Sequence, residues 1–193
     1  MDVGRTEPAR GHVPGESGLW ALVLGDMVAF GALFGVFLLA RQDDPAAFAI
    51  SRDELNQTIG AVNLLVLLVS SLLVVFGVRC MRADARQAAA RYFGGAVAAG
   101  VLFLVIKSLE YAQKIDAGLD PGTNDFFMYY YATTGLHAAH VALGIAGLLI
   151  VRAVAKRPEP KPGDQRLVEI GATFWHMVDF LWVLIFPLVY LAS

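Results

Sequence analysis

Charge is scarce in this chain. Charged residues make up 17% of its 193 residues, whereas a soluble domain carries about 25%. The charges fall in short stretches between long apolar runs, which is typical of a polytopic membrane protein. The net charge is only −2, and no array of lysines and arginines indicates binding to nucleic acid.

Cysteine is also nearly absent, because Cys80 is the single one in the sequence. One cysteine excludes an internal disulfide and a cysteine-based metal centre. The sequence lacks a phosphate-binding glycine loop, a His-Glu-x-x-His zinc motif, a Glu-x-x-His di-iron motif and a nucleophile motif. No internal repeat indicates an inverted-repeat transporter. Any chemistry therefore lies within the membrane or belongs to a partner.

Five apolar segments are long enough to cross a bilayer, which requires about 20 residues each. They lack the alternation of barrel strands, so we predict an all-α fold with five transmembrane helices. Residues 1–17 are polar and are predicted to form an N-terminal tail, followed by one transmembrane domain over residues 18–192. The predicted helices cover about residues 18–40, 57–79, 92–115, 126–152 and 167–192.

Lysines and arginines between the segments predict the orientation, because they are enriched on the cytoplasmic side. Eleven of them lie in the tail and in the second and fourth connections, against three in or near the first and third. The N-terminus is therefore predicted to be cytoplasmic and the C-terminus to lie outside. A cleaved signal peptide is the alternative for the first segment, but Asp26 and the missing small-residue cleavage site disfavour it.

Ionisable side chains inside the predicted helices are the candidate functional residues. Each costs at least a few kcal/mol in a bilayer unless it is paired or faces a polar interior. Six of them form pairs spaced three residues apart, and the two members of a pair share a helix face. We predict an intramembrane polar cluster that links the helices, and no catalytic residue. The cluster consists of Asp26, Lys107, Glu110, His137, His140, His176 and Asp179.

The pairs have both structural and functional interpretations. Lys107 and Glu110 can neutralise each other as a buried ion pair. His137 and His140 can hydrogen-bond to neighbouring helices, or they can share a metal ion. With Asp26 and the pair in the last helix, these histidines would also supply the donors of a metal or proton site near the midplane.

Aromatic residues concentrate near the predicted helix ends. Such positions are typical of membrane–water interfaces, where aromatic rings form belts. We therefore predict an interfacial location for Trp20, Phe126, Phe127, Tyr129, Tyr130, Tyr131 and Tyr190.

Four motifs in order along the chain carry a family resemblance. They are WALVLGDMVAFGALF at residues 20–34, SLEY at 108–111, FMYYYATTGLHAAHV at 127–141 and FWHMVDFLW at 174–182. Together they resemble the subunit III family of haem–copper oxidases over nearly all of residues 18–192. The last two motifs are the specific ones.

The resemblance implies a non-catalytic subunit of an oxidoreductase complex, without a redox centre of its own. Haem and copper would belong to the partner, the catalytic subunit I, beside which this subunit would pack. The family resemblance also implies bound phospholipid, support of proton uptake, protection of the catalytic subunit from inactivation and a place in the bacterial inner membrane. The five-helix bacterial form of the family agrees with the predicted topology, and it lacks the first two helices that complete a lipid cleft in the longer form.

One departure from the family pattern leaves alternatives open. The family's Ser-Glu is replaced by Gly25 and Asp26, and this variant resembles the accessory proteins of nitric oxide reductase. An accessory protein of nitric oxide reductase is therefore the second hypothesis. The third is a free-standing membrane protein that handles a metal or protons through its midplane carboxylates and imidazoles.

Overall fold

The computed structural model describes residues 17–191, and the rest of the predicted N-terminal tail lies outside the described residues. The regular structure of residues 17–191 is entirely helical. It consists of α1 (Ser17–Asp43), α2 (Pro45–Asp53), α3 (Gln57–Arg82), α4 (Arg86–Asp116), α5 (Asp125–Ala155) and α6 (Asp164–Phe186), which continues into a π-helical turn, Pro187–Leu191. All of these helices except α2 are long and apolar enough to cross a membrane. The predicted all-α fold with five membrane spans is thereby confirmed.

Polar caps mark where several helices begin. The Asn56 side chain accepts a hydrogen bond from the backbone N–H of Ile59 at 3.1 Å, and Asn124 accepts one from Phe127 at 3.0 Å. Such caps satisfy N–H groups that have no partner within the helix. α4 begins at Arg86 rather than near residue 92, because its polar first turns favour helix but do not contribute to the hydropathy signal.

α3, α4, α5 and α6 close into a ring in which each helix packs against two others, and α1 lies outside the ring against α5 and α6. The span that contains α6 is the most buried of the five, and its Trp175, Leu181 and Trp182 are fully buried. Much of α1 is instead exposed and apolar. A bilayer or a partner subunit therefore has to cover that helix.

α2 is a short helix that the sequence analysis does not predict. Asp44 caps it by accepting a hydrogen bond from Ala47 at 3.0 Å, and Pro45 occupies its first turn. The Phe48 ring is buried against Phe37 of α1 and Phe126 of α5, with ring centroids 5.4 and 5.6 Å apart. α2 therefore covers the ends of α1 and α5.

Candidate functional site

Lys107 and Glu110 of α4 form a buried ion pair with 3.1 Å between Nζ and Oε2. They are 2% and 1% exposed, respectively. Lys107 Nζ also donates to the hydroxyl groups of Tyr130 at 3.0 Å and Tyr190 at 2.7 Å. Both hydroxyls donate in turn to Glu110 Oε1, at 3.0 and 2.7 Å.

The four side chains therefore form a closed hydrogen-bond network, which we call the Lys107 network (Lys107, Glu110, Tyr130 and Tyr190). All three ammonium protons have an acceptor, and each hydroxyl both accepts and donates. Aromatic rings surround the cation, including the Trp182 ring with its centroid 5.3 Å from Nζ. The network joins α4, α5 and the π-helical turn that follows α6.

His137 of α5 is fully buried beside this network. Its ring stacks on Trp182 with centroids 5.1 Å apart and meets the edge of Phe103 at 5.5 Å. Neither ring nitrogen has a hydrogen-bond partner among the residues that the structure describes. His137 therefore contributes aromatic packing, and the predicted helix-to-helix hydrogen bond is absent within residues 17–191.

His140, one turn further along α5, contacts α1 instead. Its Nε2 lies 3.4 Å from Asp26 Oδ1, and its Nδ1 lies 2.9 Å from the carbonyl oxygen of Leu136. Because a carbonyl oxygen only accepts, Nδ1 must be the donor in that bond. The pair is partly exposed, and it is a polar link between α1 and the ring of helices.

His176 and Asp179 share a face of α6 as predicted, but they do not bond to each other. His176 Nδ1 is hydrogen-bonded to the Ser71 hydroxyl of α3 at 2.6 Å. Asp179 is 4% exposed, and its carboxylate oxygens have no hydrogen-bond partner within residues 17–191, although Ser71 is a polar neighbour. Two side chains on the same helix face lie near each other. Their hydrogen-bond partners, however, depend on which polar groups the adjacent helix presents to that face.

The predicted polar cluster thus resolves into several separate sets of contacts. Among residues 17–191, no group of three or more His, Cys, Asp or Glu side chains comes together as ligands for a metal ion. Each set of contacts links two or three helical elements. These side chains therefore help to hold the bundle together.

The spacing of the charged residues along the sequence does not indicate their partners on other helices. Tyr130 and Tyr190 complete the Lys107 network, and both are fully buried within the bundle. Phe126 and Phe127, which the sequence assigns to the same predicted belt, are 2% and 1% exposed and therefore pack inside the bundle. Helical spacing was the available signal, because residues 126, 127, 130 and 134 lie on one side of α5, and the structure buries that side.

Fold and site together define a polytopic helical membrane protein whose buried ionisable residues connect helices. A family model for cytochrome c oxidase subunit III matches residues 46–193. The chain belongs to the cytochrome c oxidase subunit III family. This membership confirms the resemblance carried by the four sequence motifs.

Individual relatives agree with this membership. Cytochrome c oxidase subunit 3 of a Synechocystis species is 30% identical over 175 residues, which cover 90% of this chain and 74% of the relative. A probable quinol oxidase subunit 3 of Staphylococcus haemolyticus is 25% identical and covers 90% of this chain and 87% of its own length. The haem–copper oxidase subunit I+III of Aeropyrum pernix is 24% identical over 184 residues, which cover 91% of this chain but 22% of that longer protein.

Proposed function

We propose that this chain is the non-catalytic subunit III of a respiratory haem–copper oxidase in a bacterial inner membrane. The observation that carries the proposal is the family match over residues 46–193. The internal contacts support a structural role, because Lys107, Glu110 and His176 are hydrogen-bonded to side chains of neighbouring helical elements. In this proposal, haem and copper belong to the partner subunit.

The proposed partner is the catalytic subunit I of the oxidase. In the relative from Aeropyrum pernix, whose name is subunit I+III, the two subunits share one chain. Separate subunits I and III packed side by side would form the same kind of contact without a covalent link. The exposed apolar side chains of α1 offer area for such a contact or for lipid.

Bound phospholipid, support of proton uptake and protection of the catalytic subunit complete the proposal. Exposed apolar side chains on α1, α3 and α4 supply surface for acyl chains. Basic residues at the helix ends would attract anionic headgroups, at about 1 kcal/mol per lysine or arginine near the membrane surface.

A purification experiment tests the proposal directly. The tagged full-length chain is extracted in mild detergent, and the copurifying proteins are identified by mass spectrometry together with a haem absorption spectrum. We expect a haem-containing catalytic subunit in a one-to-one ratio. Recovery of the intact chain without any haem protein, under conditions that preserve the oxidase in the same membranes, would contradict the proposal.

An accessory protein of nitric oxide reductase is the second candidate. The observation that favours it is Asp26, preceded by Gly25, at the position where the family resemblance has Ser-Glu. Deletion of the gene separates the two candidates. Loss of oxygen consumption with nitric oxide reduction intact supports the oxidase, and the opposite pattern supports the reductase.

A further inference from the structure

A cleft opens between α3 and α6 at the end of the bundle where α3 finishes and α6 begins. Its volume is about 260 Å³, which leaves room for several water molecules of about 30 Å³ each. The charged and polar lining consists of Arg79 and Arg82 of α3 and Glu169, Thr173 and His176 of α6. We call this cavity the α3–α6 cleft.

The α3–α6 cleft runs from the end of the bundle into the membrane-spanning part of α6. The ion pair of Arg82 and Glu169, with 3.0 Å between Nη2 and Oε1, lies at its outer end. His176 is two helical turns further along α6, about 10 Å deeper at 1.5 Å per residue. Asp179 follows at about 15 Å, which is half of a hydrocarbon core of about 30 Å.

Asp179 lies beyond the deep end of this cleft and is the buried group that the helix contacts leave unused. Neither of its carboxylate oxygens has a hydrogen-bond partner within residues 17–191, and no ion pair there includes it. Its polar neighbour is Ser71 of α3, whose hydroxyl is hydrogen-bonded to His176 Nδ1 at 2.6 Å. Ser71 and His176 therefore connect the carboxylate with the cleft.

A role in packing alone does not account for this arrangement. In the Lys107 network every donor and acceptor is satisfied by another side chain, whereas the carboxylate of Asp179 is not. Buried polar groups without a protein partner bind water. Ionisable residues inside a membrane protein face a water-filled cavity or a proton pathway when they are not paired.

We infer that Asp179 exchanges protons with the aqueous phase at this end of the bundle through water in the α3–α6 cleft. A hydrated proton in the cleft binds to His176 Nε2, and the proton on Nδ1 passes to the Ser71 hydroxyl oxygen. Ser71 gives its own hydroxyl proton to the Asp179 carboxylate, and the reverse steps return it. The inference goes beyond the proposed function, since every group in the relay belongs to this chain.

Thiol labelling tests whether the cleft holds water. In a Cys80→Ser background, Thr173→Cys lies in the cleft, and Phe76→Cys lies on another face of α3, where Phe76 is exposed and packs against Tyr92 of α4. The two contacts between α3 and α6 named above place positions 76 and 173 at about the same depth. A thiol reacts as the thiolate, which requires water.

In membranes opened to both sides, we expect a charged, membrane-impermeant thiol reagent to label Thr173→Cys at least about tenfold faster than Phe76→Cys. Equally slow labelling of both variants would show that water does not enter the cleft and would overturn the inference.

Infrared spectroscopy of the purified full-length chain tests the proton exchange itself. We expect a carboxylic acid C=O band that changes with pH, shifts on transfer to D₂O and is missing in Asp179→Asn. Ser71→Ala should slow the shift at least about tenfold, because it removes the hydroxyl of the relay. Ser70→Ala is the matched control, since the buried Ser70 hydroxyl donates to the Ala96 carbonyl at 3.0 Å, and it should leave the rate unchanged.

Equal exchange rates for Ser71→Ala and Ser70→Ala, or no band that depends on Asp179 at any pH, would overturn the inference. The serine comparison keeps the test valid if Asp179→Asn folds poorly. Oxidase copurification is a separate readout, so failure here is distinguishable from failure of the proposed function.

Discussion

At the level of single residues, the Lys107 network shows how a membrane protein retains charge in its interior. A buried ion pair is tolerated when every remaining donor and acceptor is satisfied, and this network meets that condition. Removing one member is more harmful than removing both, because the surviving charge then lacks a counterion.

We predict that Glu110→Gln lowers the free energy of unfolding by about 3–5 kcal/mol, because the Lys107 ammonium loses its carboxylate. The double variant Lys107→Met/Glu110→Gln should recover much of this loss. Unfolding in mixed detergent micelles of the unaltered chain, Lys107→Met, Glu110→Gln and the double variant gives the complete double-mutant cycle. A single variant within about 0.5 kcal/mol of the unaltered chain would show that the pair contributes little.

At the level of helices, close packing around α6 depends on glycine. The Trp175 indole lies between α4 and α5, where a Cβ atom on Gly100 or on Gly144 would come within 2.7 Å of its ring. Glycine therefore lets both helices approach the fully buried indole. Gly147, one turn from Gly144, has open space at the corresponding position.

Gly144→Ala and Gly147→Ala form a matched pair of variants in one helix. We expect Gly144→Ala to destabilise the protein by about 1–3 kcal/mol, since the added methyl overlaps the Trp175 ring. Gly147→Ala should be neutral or stabilising by up to about 1 kcal/mol, because alanine favours helix. Thermal unfolding in detergent compares them, and equal midpoints would contradict this account of the packing.

At the level of the whole molecule, the structure gathers most of the basic residues at one end of the bundle. The end of α3, the start of α4 and the end of α5 all contribute basic residues to it. The predicted cytoplasmic orientation of this end follows from the distribution of lysines and arginines. It stays a prediction, since the fold of the bundle is the same in either orientation.

Cysteine labelling tests the orientation. In a Cys80→Ser background, Pro121→Cys lies in the exposed connection between α4 and α5, and Lys161→Cys lies in the exposed connection between α5 and α6. We expect a membrane-impermeant thiol reagent to label Pro121→Cys in intact cells and Lys161→Cys only after permeabilisation. The reverse pattern would invert the topology.

α2 and the burial of the aromatic residues at the start of α5 are two features that local sequence signals do not predict. α2 has nine residues and begins with proline, so neither its length nor its hydropathy distinguishes it from a loop. Phe126, Phe127 and Tyr130 have the composition of an interfacial belt, yet α2, α1 and the Lys107 network bury them. These environments come from distant parts of the chain, which a local pattern does not contain.

Five membrane spans, an all-helical fold and family membership follow from the amino-acid order alone, because hydropathy, backbone hydrogen bonding and motif spacing are properties of contiguous segments. The partners of the ionisable residues depend instead on which helices pack together. Sequence spacing predicts that His176 lies beside Asp179 on α6. In the structure His176 hydrogen-bonds instead to Ser71 of α3, and His140 of α5 contacts Asp26 of α1. A hydrogen bond requires contact within about 3.5 Å, and for residues far apart in sequence that contact is set by helix packing.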